Sequence, residues 1–187
     1  MALSAAVFLD KDGTLLEDVP YNVDPDHMRW AAGAKRGVQA LAAGGWPLVV
    51  VSNQPGVALG RFEPQALCGV ALRLSQLFQE AGARLSGFYW CPHHPAGEVA
   101  AYAGPCDCRK PAPGLLLRAA ADLGIRLADS WMVGDILHDV EAGRRAGCRT
   151  IMLDVGNETE WRTGPWCSPH FLAPTLATAS RMIGERP

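Results

Sequence analysis

The chain has no long hydrophobic run and no excess of positive charge, and these two absences exclude several classes of protein. Its 187 residues contain no apolar stretch near the roughly 20 residues that a membrane-spanning helix needs. Lys and Arg number 17 against 19 Asp and Glu, so no bulk positive field is available to hold a nucleic-acid backbone or an anionic membrane. We therefore expect no nucleic-acid partner and no membrane partner.

The first residues also lack the basic segment that begins a secretory signal peptide. No Lys or Arg occurs in residues 1–6, and the apolar stretch that follows ends at Asp10, which is typical of a first strand. We expect a cytoplasmic location. Apolar residues make up 49 % and charged residues 19 % of the chain, as in a globular protein. The length predicts a single domain over residues 1–187, which we expect to act as a monomer.

Short apolar runs alternate with helical patterns along the chain. Strands are predicted at 5–9, 48–51, 88–90, 131–133, 150–153 and 170–172. Helices are predicted within 31–43, 64–81, 114–123, 137–146 and 176–183. Apolar strands that alternate with helices predict an α/β fold, a Rossmann-like doubly wound parallel sheet with helices on both faces and no large cap domain. Ligands bind at the carboxyl ends of the strands in such sheets.

Two carboxylates directly follow the first predicted strand. Asp10 and Asp12 stand two residues apart before Gly13. At a strand end such a pair can divide phosphoryl chemistry, with one carboxylate attacking phosphorus and the other protonating the leaving oxygen. The same short sequence also occurs in surface turns and calcium-binding loops, so the pair alone leaves both interpretations open.

Later strand ends add three further polar groups. Ser52 offers a hydroxyl, Lys110 a compact positive charge for phosphate oxygens, and Asp135 an acid. Each of them alone could cap a turn or a helix, or be a solvated charge. Together they follow the order acid pair, hydroxyl, lysine, acid, and this combination favours phosphoryl transfer.

On these four motifs the chain resembles the haloacid dehalogenase (HAD) superfamily of phosphohydrolases. The resemblance implies that Asp10 is the nucleophile, Asp12 the general acid and base, and that Ser52 and Lys110 contact the transferred phosphate. It also implies a catalytic Mg²⁺ bound by the carboxylates of Asp10 and Asp135 and by the backbone carbonyl of Asp12. Such an ion would offset carboxylates that otherwise repel a phosphate.

Three of the six cysteines cluster with a histidine, and this pattern predicts a structural zinc site. The predicted ligands are Cys91, His93, Cys106 and Cys108. A Cys₃His set closes a tetrahedral shell, which leaves His94 as a non-ligand. A bound metal would order the Ala-, Gly- and Pro-rich residues 94–105 and make 91–108 a zinc-binding loop. The alternative is three reduced cysteines that are close only in sequence.

The pattern C-P-H-H-P followed by C-D-C-R-K-P is similar to the zinc-loop phosphatases that act on heptose 1,7-bisphosphate or on histidinol phosphate. Twelve residues separate His93 from Cys106, and this longer gap favours the heptose type. The resemblance implies a small phosphorylated metabolite as ligand, a sugar bisphosphate. The implied contacts lie in the ranges 18–21 and 52–55 and at Arg109 and Lys110, and they include Asp18, Tyr21, Ser52, Asn53 and Gln54. One departure is Ile136, where the heptose enzymes often have a lysine.

Three alternative functions remain open at this point. The first is a phosphatase for another small metabolite, such as histidinol phosphate or a different sugar phosphate. A DNA 3′-phosphatase would fit the motifs, but the slightly acidic charge balance argues against it. A zinc-containing binding module without catalysis would not need the complete set of three acids and a lysine.

Overall fold

The computed structural model describes residues 4–184, so the N-terminal prediction and the domain prediction fall partly outside the described residues, on 1–3 and 185–187. The strands are β1 (Val7–Leu9), β2 (Leu48–Asn53), β3 (Leu85–Cys91), β4 (Trp131–Gly134), β5 (Arg149–Leu153) and β6 (Phe171–Ala173). The helices are α1 (Ala34–Ala43), α2 (Ala66–Glu80), α3 (Gly114–Leu123), α4 (Leu137–Arg145) and α5 (Leu176–Ile183). Short 3-10 helices cover Pro25–His27 and Leu127–Asp129. Among the helices of residues 4–184, none has the length and apolar character needed to cross a membrane.

All six strands are parallel and form one sheet in the order β3-β2-β1-β4-β5-β6. This is the strand order of a doubly wound fold, and it confirms the predicted fold class. From β1 the chain adds β2 and β3 on one side of the sheet. It then crosses back and adds β4, β5 and β6 on the other side of β1. The carboxyl ends of β1 and β4 therefore frame the crevice where such folds bind their ligands.

The two faces of the sheet are buried by different helices because strand side chains alternate in direction. In β1, Val7 and Leu9 belong to a core shared with α1, α2 and α5. Phe8 points to the opposite face and belongs to a second core with α3 and α4. All three side chains are fully buried, as expected for the central strand of a sheet that is covered on both sides.

Four strands, β2, β3, β4 and β5, are longer than the sequence predicts, and both outer strands, β3 and β6, are less buried than the central ones. Ser52 and Cys91 were expected just after β2 and β3, but Ser52 pairs with Trp90 and Asn53 pairs with Cys91 inside the ladder. Polar residues at the end of a strand give no hydrophobic signal, which explains the short prediction. The expectation of fully buried strands is wrong for β3, an edge strand whose residues before Cys91 are half-buried.

The helix boundaries differ from the predictions by a few residues. Helix α1 begins at Ala34 and not at 31, because Gly33 just before it has φ of 78°, in the left-handed region. Helices α3 and α5 have the predicted bounds, 114–123 and 176–183. These small shifts leave the order and packing of the elements as predicted.

Two helical glycines give a paired test of this packing. A Cβ at Gly37 in α1 would lie 2.7 Å from a backbone carbon of Leu176, at the start of α5, whereas a Cβ at Gly69 in α2 would meet only Pro25, at 3.7 Å. Gly37→Ala should therefore lower the free energy of unfolding by about 1–3 kcal/mol through overpacking. Gly69→Ala should raise it by about 0.5–1 kcal/mol through helix propensity. Urea denaturation measures both, and stabilisation by Gly37→Ala would contradict the close α1–α5 contact.

Candidate active site

A buried lysine lies at the centre of the crevice and contacts two carboxylates. Lys110 Nζ contacts Asp10 Oδ1 and lies 2.6 Å from Asp139 Oδ1. It also donates to the backbone oxygen of Val51 in β2, at 3.1 Å. Both acids and the lysine are at most 7 % exposed. The predicted strand-end groups Asp10 and Lys110, 100 residues apart in sequence, are therefore in direct contact.

Asp139 is a site residue that the sequence analysis did not assign. It lies in the first turn of α4, where its Oδ2 accepts a hydrogen bond from the backbone N–H of Ile136 at 3.4 Å. The sequence signal is its spacing of four residues from Asp135, at the start of a helix where acids are common. Gly134 leaves it room, since a Cβ there would lie 2.2 Å from the Asp139 Cβ.

The carboxylates of this site are crowded and poorly solvated. Burial, together with the charges of Asp139 and Asp12, raises the pKa of Asp10 to about 7 even though Lys110 acts to lower it. Burial and the charge of Asp10 raise the pKa of Asp135 to about 6. One lysine therefore does not neutralise the acids gathered here, and a further cation would relieve their repulsion.

Asp135 is fixed in place by two hydrogen bonds. Thr14 Oγ1 donates to its Oδ1 at 2.9 Å, and Asn157 Nδ2 donates to its Oδ2 at 2.7 Å. Gly13 passes close by with φ of 81°, and a Cβ there would lie 2.2 Å from Asp135 Oδ2. Only glycine allows the turn after Asp12 to approach this carboxylate. Asn157 lies in a stretch without periodicity, and no sequence signal pointed to it.

Asp12 is linked to the end of β2. Its Oδ1 lies 2.5 Å from Lys11 Nζ. Its Oδ2 accepts a longer hydrogen bond, at 3.4 Å, from Gln54 Nε2. The same Gln54 amide donates to the buried Ser52 hydroxyl at 2.8 Å. The Gln54 side chain therefore links the Asp12 carboxylate to the Ser52 hydroxyl, which was predicted to contact the transferred phosphate.

Asn53 holds the backbone of Lys110. Its Oδ1 accepts from the Lys110 N–H and its Nδ2 donates to the Lys110 carbonyl, both at 3.0 Å. We predicted a substrate contact for Asn53, and it does line the cavity described next. Its amide also positions the segment that delivers the lysine, a role that residue type alone does not reveal.

A cavity of about 350 Å³ opens above these groups. Every predicted catalytic or substrate-contacting residue lines it: Asp10, Asp12, Asp18, Tyr21, Ser52, Asn53, Gln54, Arg109 and Lys110. Asp135 lines it as well, and so do the other members of the predicted contact ranges, Val19, Pro20 and Pro55. Five lining residues were not predicted as contacts: Asn22, Gly56, Ile136, His138 and Asn157. The volume suits a small metabolite.

The carboxylates at the base of this cavity have the chemistry of a hard-cation site. Oxygens of Asp10, Asp135 and Asp139 lie within 4.8 Å of one another, and all three residues are buried. Mg²⁺ prefers oxygen ligands and is usually held by one or two carboxylates. Lys110 contacts both Asp10 and Asp139, and the two carboxylates that the family resemblance implies for Mg²⁺, Asp10 and Asp135, belong to this group of three.

The four predicted zinc ligands converge in a second cluster. The Cys108 sulfur lies 2.9 Å from that of Cys91 and 3.5 Å from that of Cys106, and 3.4 Å from His93 Nδ1. A tetrahedral zinc site places two thiolate sulfurs about 3.8 Å apart, so the cluster is close to that size. All six cysteines, which lie within the described residues, are free thiols. The donor set therefore fits a structural zinc ion.

The environment of the thiols differs from one to the next. Burial and hydrogen bonding to Cys108 raise the pKa of the Cys91 thiol well above its usual range. Burial acts in the same direction at Cys106, but the Arg109 N–H donates to its sulfur at 3.3 Å and the net pKa is lowered. A backbone N–H directed at a thiolate is a typical outer contact of a metal ligand.

The segment between the ligand pairs has its own anchors. The backbone N–H groups of Glu98 and Val99 both donate to the Ala58 carbonyl, at 2.8 and 2.9 Å. His94 accepts from the Ala96 N–H through Nδ1 at 3.1 Å and is absent from the four-residue ligand group. A metal would therefore reinforce this loop and would not be its sole restraint.

Comparisons with known proteins agree with this fold. The HAD-hydrolase-like family model matches residues 107–179. The D-glycero-beta-D-manno-heptose-1,7-bisphosphate 7-phosphatase of Yersinia pestis is 38 % identical over 148 residues, which cover 79 % of each chain. The Escherichia coli K12 protein of the same name is 37 % identical over 164 residues, covering 88 % of this chain and 82 % of that protein.

A solved structure gives the same architecture. It is the D,D-heptose 1,7-bisphosphate phosphatase from B. bronchiseptica in complex with magnesium and phosphate, with a TM-score of 0.79 and 24 % identity, over 96 % of this chain and 97 % of that chain. At this identity the likeness concerns the fold, whereas the curated relatives are similar in sequence over most of their length. The chain therefore belongs to the HAD-like hydrolase family, among the relatives of the D-glycero-beta-D-manno-heptose-1,7-bisphosphate 7-phosphatases.

Proposed function

We propose that the protein is a Mg²⁺-dependent phosphomonoester hydrolase that removes the 7-phosphate of D-glycero-D-manno-heptose 1,7-bisphosphate. The observation that supports this most is the contact of Asp10 with Lys110 at the strand switch point, with Asp12 two residues further on. These groups face a cavity of about 350 Å³, large enough for a sugar phosphate. The names of the curated relatives support the choice of sugar.

In the first half of the reaction Asp10 is the nucleophile. One carboxylate oxygen of Asp10 forms a bond to phosphorus while the bond from phosphorus to the sugar oxygen breaks. Asp12 gives its proton to that oxygen, so the sugar leaves as an alcohol and Asp10 becomes an aspartyl-phosphate. Lys110, already beside Asp10, offsets charge on the phosphoryl oxygens.

In the second half water releases the phosphate. Asp12 now takes a proton from a water molecule, whose oxygen bonds to phosphorus as the bond to the Asp10 oxygen breaks. Inorganic phosphate leaves, and the two aspartates return to their starting forms. Ser52 is placed to donate its hydroxyl to a phosphoryl oxygen, and the Gln54 amide fixes that hydroxyl.

Two metals would support these steps in different ways. Asp10 and Asp135, whose raised pKa values reflect a local excess of buried negative charge, would hold Mg²⁺. When bound, that ion supplies positive charge to the carboxylates and the substrate phosphate. The Cys₃His cluster would hold zinc in a structural role.

The remaining sequence predictions are part of this proposal. Activity as a monomer stays a prediction. A cytoplasmic location stays a prediction.

A substrate panel tests the proposed function. Purified protein with Mg²⁺ should release one phosphate from heptose 1,7-bisphosphate, and ³¹P NMR should show that the 1-phosphate is retained. Histidinol phosphate, fructose 1,6-bisphosphate and p-nitrophenyl phosphate serve as comparison substrates. A kcat/KM for histidinol phosphate above that for the heptose bisphosphate would overturn the substrate assignment while leaving the phosphatase chemistry in place.

Asp10→Asn should abolish turnover, with kcat reduced by about 10³-fold or more, because an amide oxygen cannot accept the phosphoryl group. The fold should persist, since Lys110 keeps its second partner, Asp139, at 2.6 Å. Steady-state kinetics and circular dichroism of the same preparation check both statements. Activity near that of the unaltered protein would contradict the assignment of the nucleophile.

One zinc ion per chain should copurify with the protein under reducing conditions without chelator. Cys106→Ser should lower this ratio and speed proteolytic cleavage within 94–105, because one of four ligands is weakened. Cys167→Ser, whose thiol lies near Glu141 and outside the cluster, is the matched control and should keep full occupancy. Elemental analysis and limited elastase digestion give the two readouts, since residues 94–105 contain Ala, Gly and Val but no Lys or Arg. Equal zinc content in both variants would refute the ligand set.

A further inference from the structure

The base of the cavity is acidic, whereas one of its walls carries positively charged groups. Part of that wall belongs to residues that the sequence analysis did not assign. His138 and Arg109 both line the cavity. Arg162, in the stretch between β5 and β6, lies 3.2 Å through Nη2 from His138 Nε2. One guanidinium group and an imidazole therefore line the cavity, and a second guanidinium lies against the imidazole, while the nearby Ile136 contributes no charge.

Neither guanidinium is neutralised by a carboxylate. Within residues 4–184, no ion pair includes Arg109 or Arg162. Arg109 donates only to a neutral acceptor, the backbone oxygen of His93, at 3.3 Å. Since arginine forks bind carboxylates and phosphates best, this pair has unused capacity for an anion.

The acids that face His138 are already engaged elsewhere. Glu158 accepts from the Leu137 N–H at 2.7 Å and from the Glu160 N–H at 2.8 Å, using both carboxylate oxygens. Glu141 lies 2.6 Å from Arg145. Glu158 still acts on Arg162 and His138 through its charge, as its lowered pKa shows, but among the described residues it forms no direct ion pair with either, so the Arg162 guanidinium keeps donors for a ligand.

His138 contributes a hydrogen-bond donor more than a charge. Burial, then the charges of Arg162 and Arg109, lower its pKa below the usual value. Because Arg162 donates to Nε2, the neutral ring carries its proton on Nδ1. The cluster thus combines two guanidinium groups of fixed charge with one polar ring.

We infer that Arg162 and His138, together with Arg109, form a binding site for a second anionic group of the substrate, a phosphate that is not transferred. This inference rests on the proposed function, since the transferred phosphate must occupy the buried base of the cavity beside Asp10. Arg162 is exposed and Asp10 is buried, so the two anion sites lie at different depths. The site would select substrates with two phosphates over simple phosphate monoesters.

The same segment is tied to the site at two further points. Asn157 donates to Asp135, and Glu158 accepts from the first turn of α4. These contacts place Arg162, four residues after Glu158, against His138 without requiring a regular helix or strand. The segment therefore serves both the metal-binding acid and the second anion site.

Kinetics with two substrates test this inference. We compare the KM for heptose 1,7-bisphosphate with that for p-nitrophenyl phosphate, in the presence of Mg²⁺. The ratio is the KM for heptose 1,7-bisphosphate divided by the KM for p-nitrophenyl phosphate. Arg162→Ala should raise this ratio about fivefold, as expected for one partly exposed charge contact. Arg162→Lys should raise it less, and Arg162→Glu should raise it more. His138→Ala should raise the same ratio.

Arg181→Ala is the matched control. Arg181 is exposed and donates to one neutral acceptor, Thr178 Oγ1, at 3.3 Å, but it lies on α5 away from the cavity lining. The ratio should stay unchanged in this variant. A change of both KM values by the same factor in Arg162→Ala would indicate a structural effect and overturn the inference.

A binding measurement provides a readout that does not depend on turnover. In the Asp10→Asn background, calorimetric titration with heptose 1,7-bisphosphate should show weaker binding after Arg162→Ala, with little change for heptose 7-phosphate. Failure of the proposed function has a different signature, namely no phosphate release from the bisphosphate by the unaltered protein, and it would overturn both proposals. Release with an unchanged ratio in Arg162→Ala would overturn this inference alone.

Discussion

The buried contact of Lys110 with Asp10 and Asp139 is the interaction on which the site depends. Burying a lysine is costly unless its charge is paired, and removing one partner of such a cluster typically costs about 3–5 kcal/mol. The three residues come from the end of β1, from the segment after the cysteine cluster and from the first turn of α4. Their charges therefore hold three separate parts of the chain at one end of the sheet. The position of β1 and β4 side by side is what makes this meeting possible.

The cysteine cluster and the lysine are mechanically connected. Cys108 precedes Lys110 by two residues, and the Arg109 N–H between them donates to the Cys106 sulfur. On the other side, the Asn53 amide binds both backbone polar groups of Lys110. The segment is thus clamped between the cluster and the end of β2. A metal-ordered loop beside the cavity would fix the lysine that the chemistry requires, which gives a structural ion a functional consequence at short range.

The sequence was sufficient for the parts that depend on local pattern. Alternating apolar runs and helical periods predict the doubly wound sheet, and the strand-end residues Asp10, Lys110 and Asp135 meet as that fold requires. Asp139 was missed because an acid in the first turn of a helix is ordinary and its partner lies 29 residues away. Asn157 and Arg162 lie in a stretch without hydrophobic period, so only three-dimensional packing shows that they reach Asp135 and His138. Asn157 and Arg162 therefore have no spacing in the sequence that would identify them.

The charge arrangement of the cavity has a consequence for selectivity. Its base holds three buried carboxylates beside one buried lysine, so a cation bound there would ease the approach of an anion. Its rim holds two arginines without carboxylate partners among the described residues, and these can bind an anion directly. A phosphate at the rim adds binding energy remote from the reacting bond, and such energy can be used to orient the phosphate at the base. One short segment after β5, which contacts Asp135 through Asn157 and His138 through Arg162, therefore links recognition at the rim to chemistry at the base.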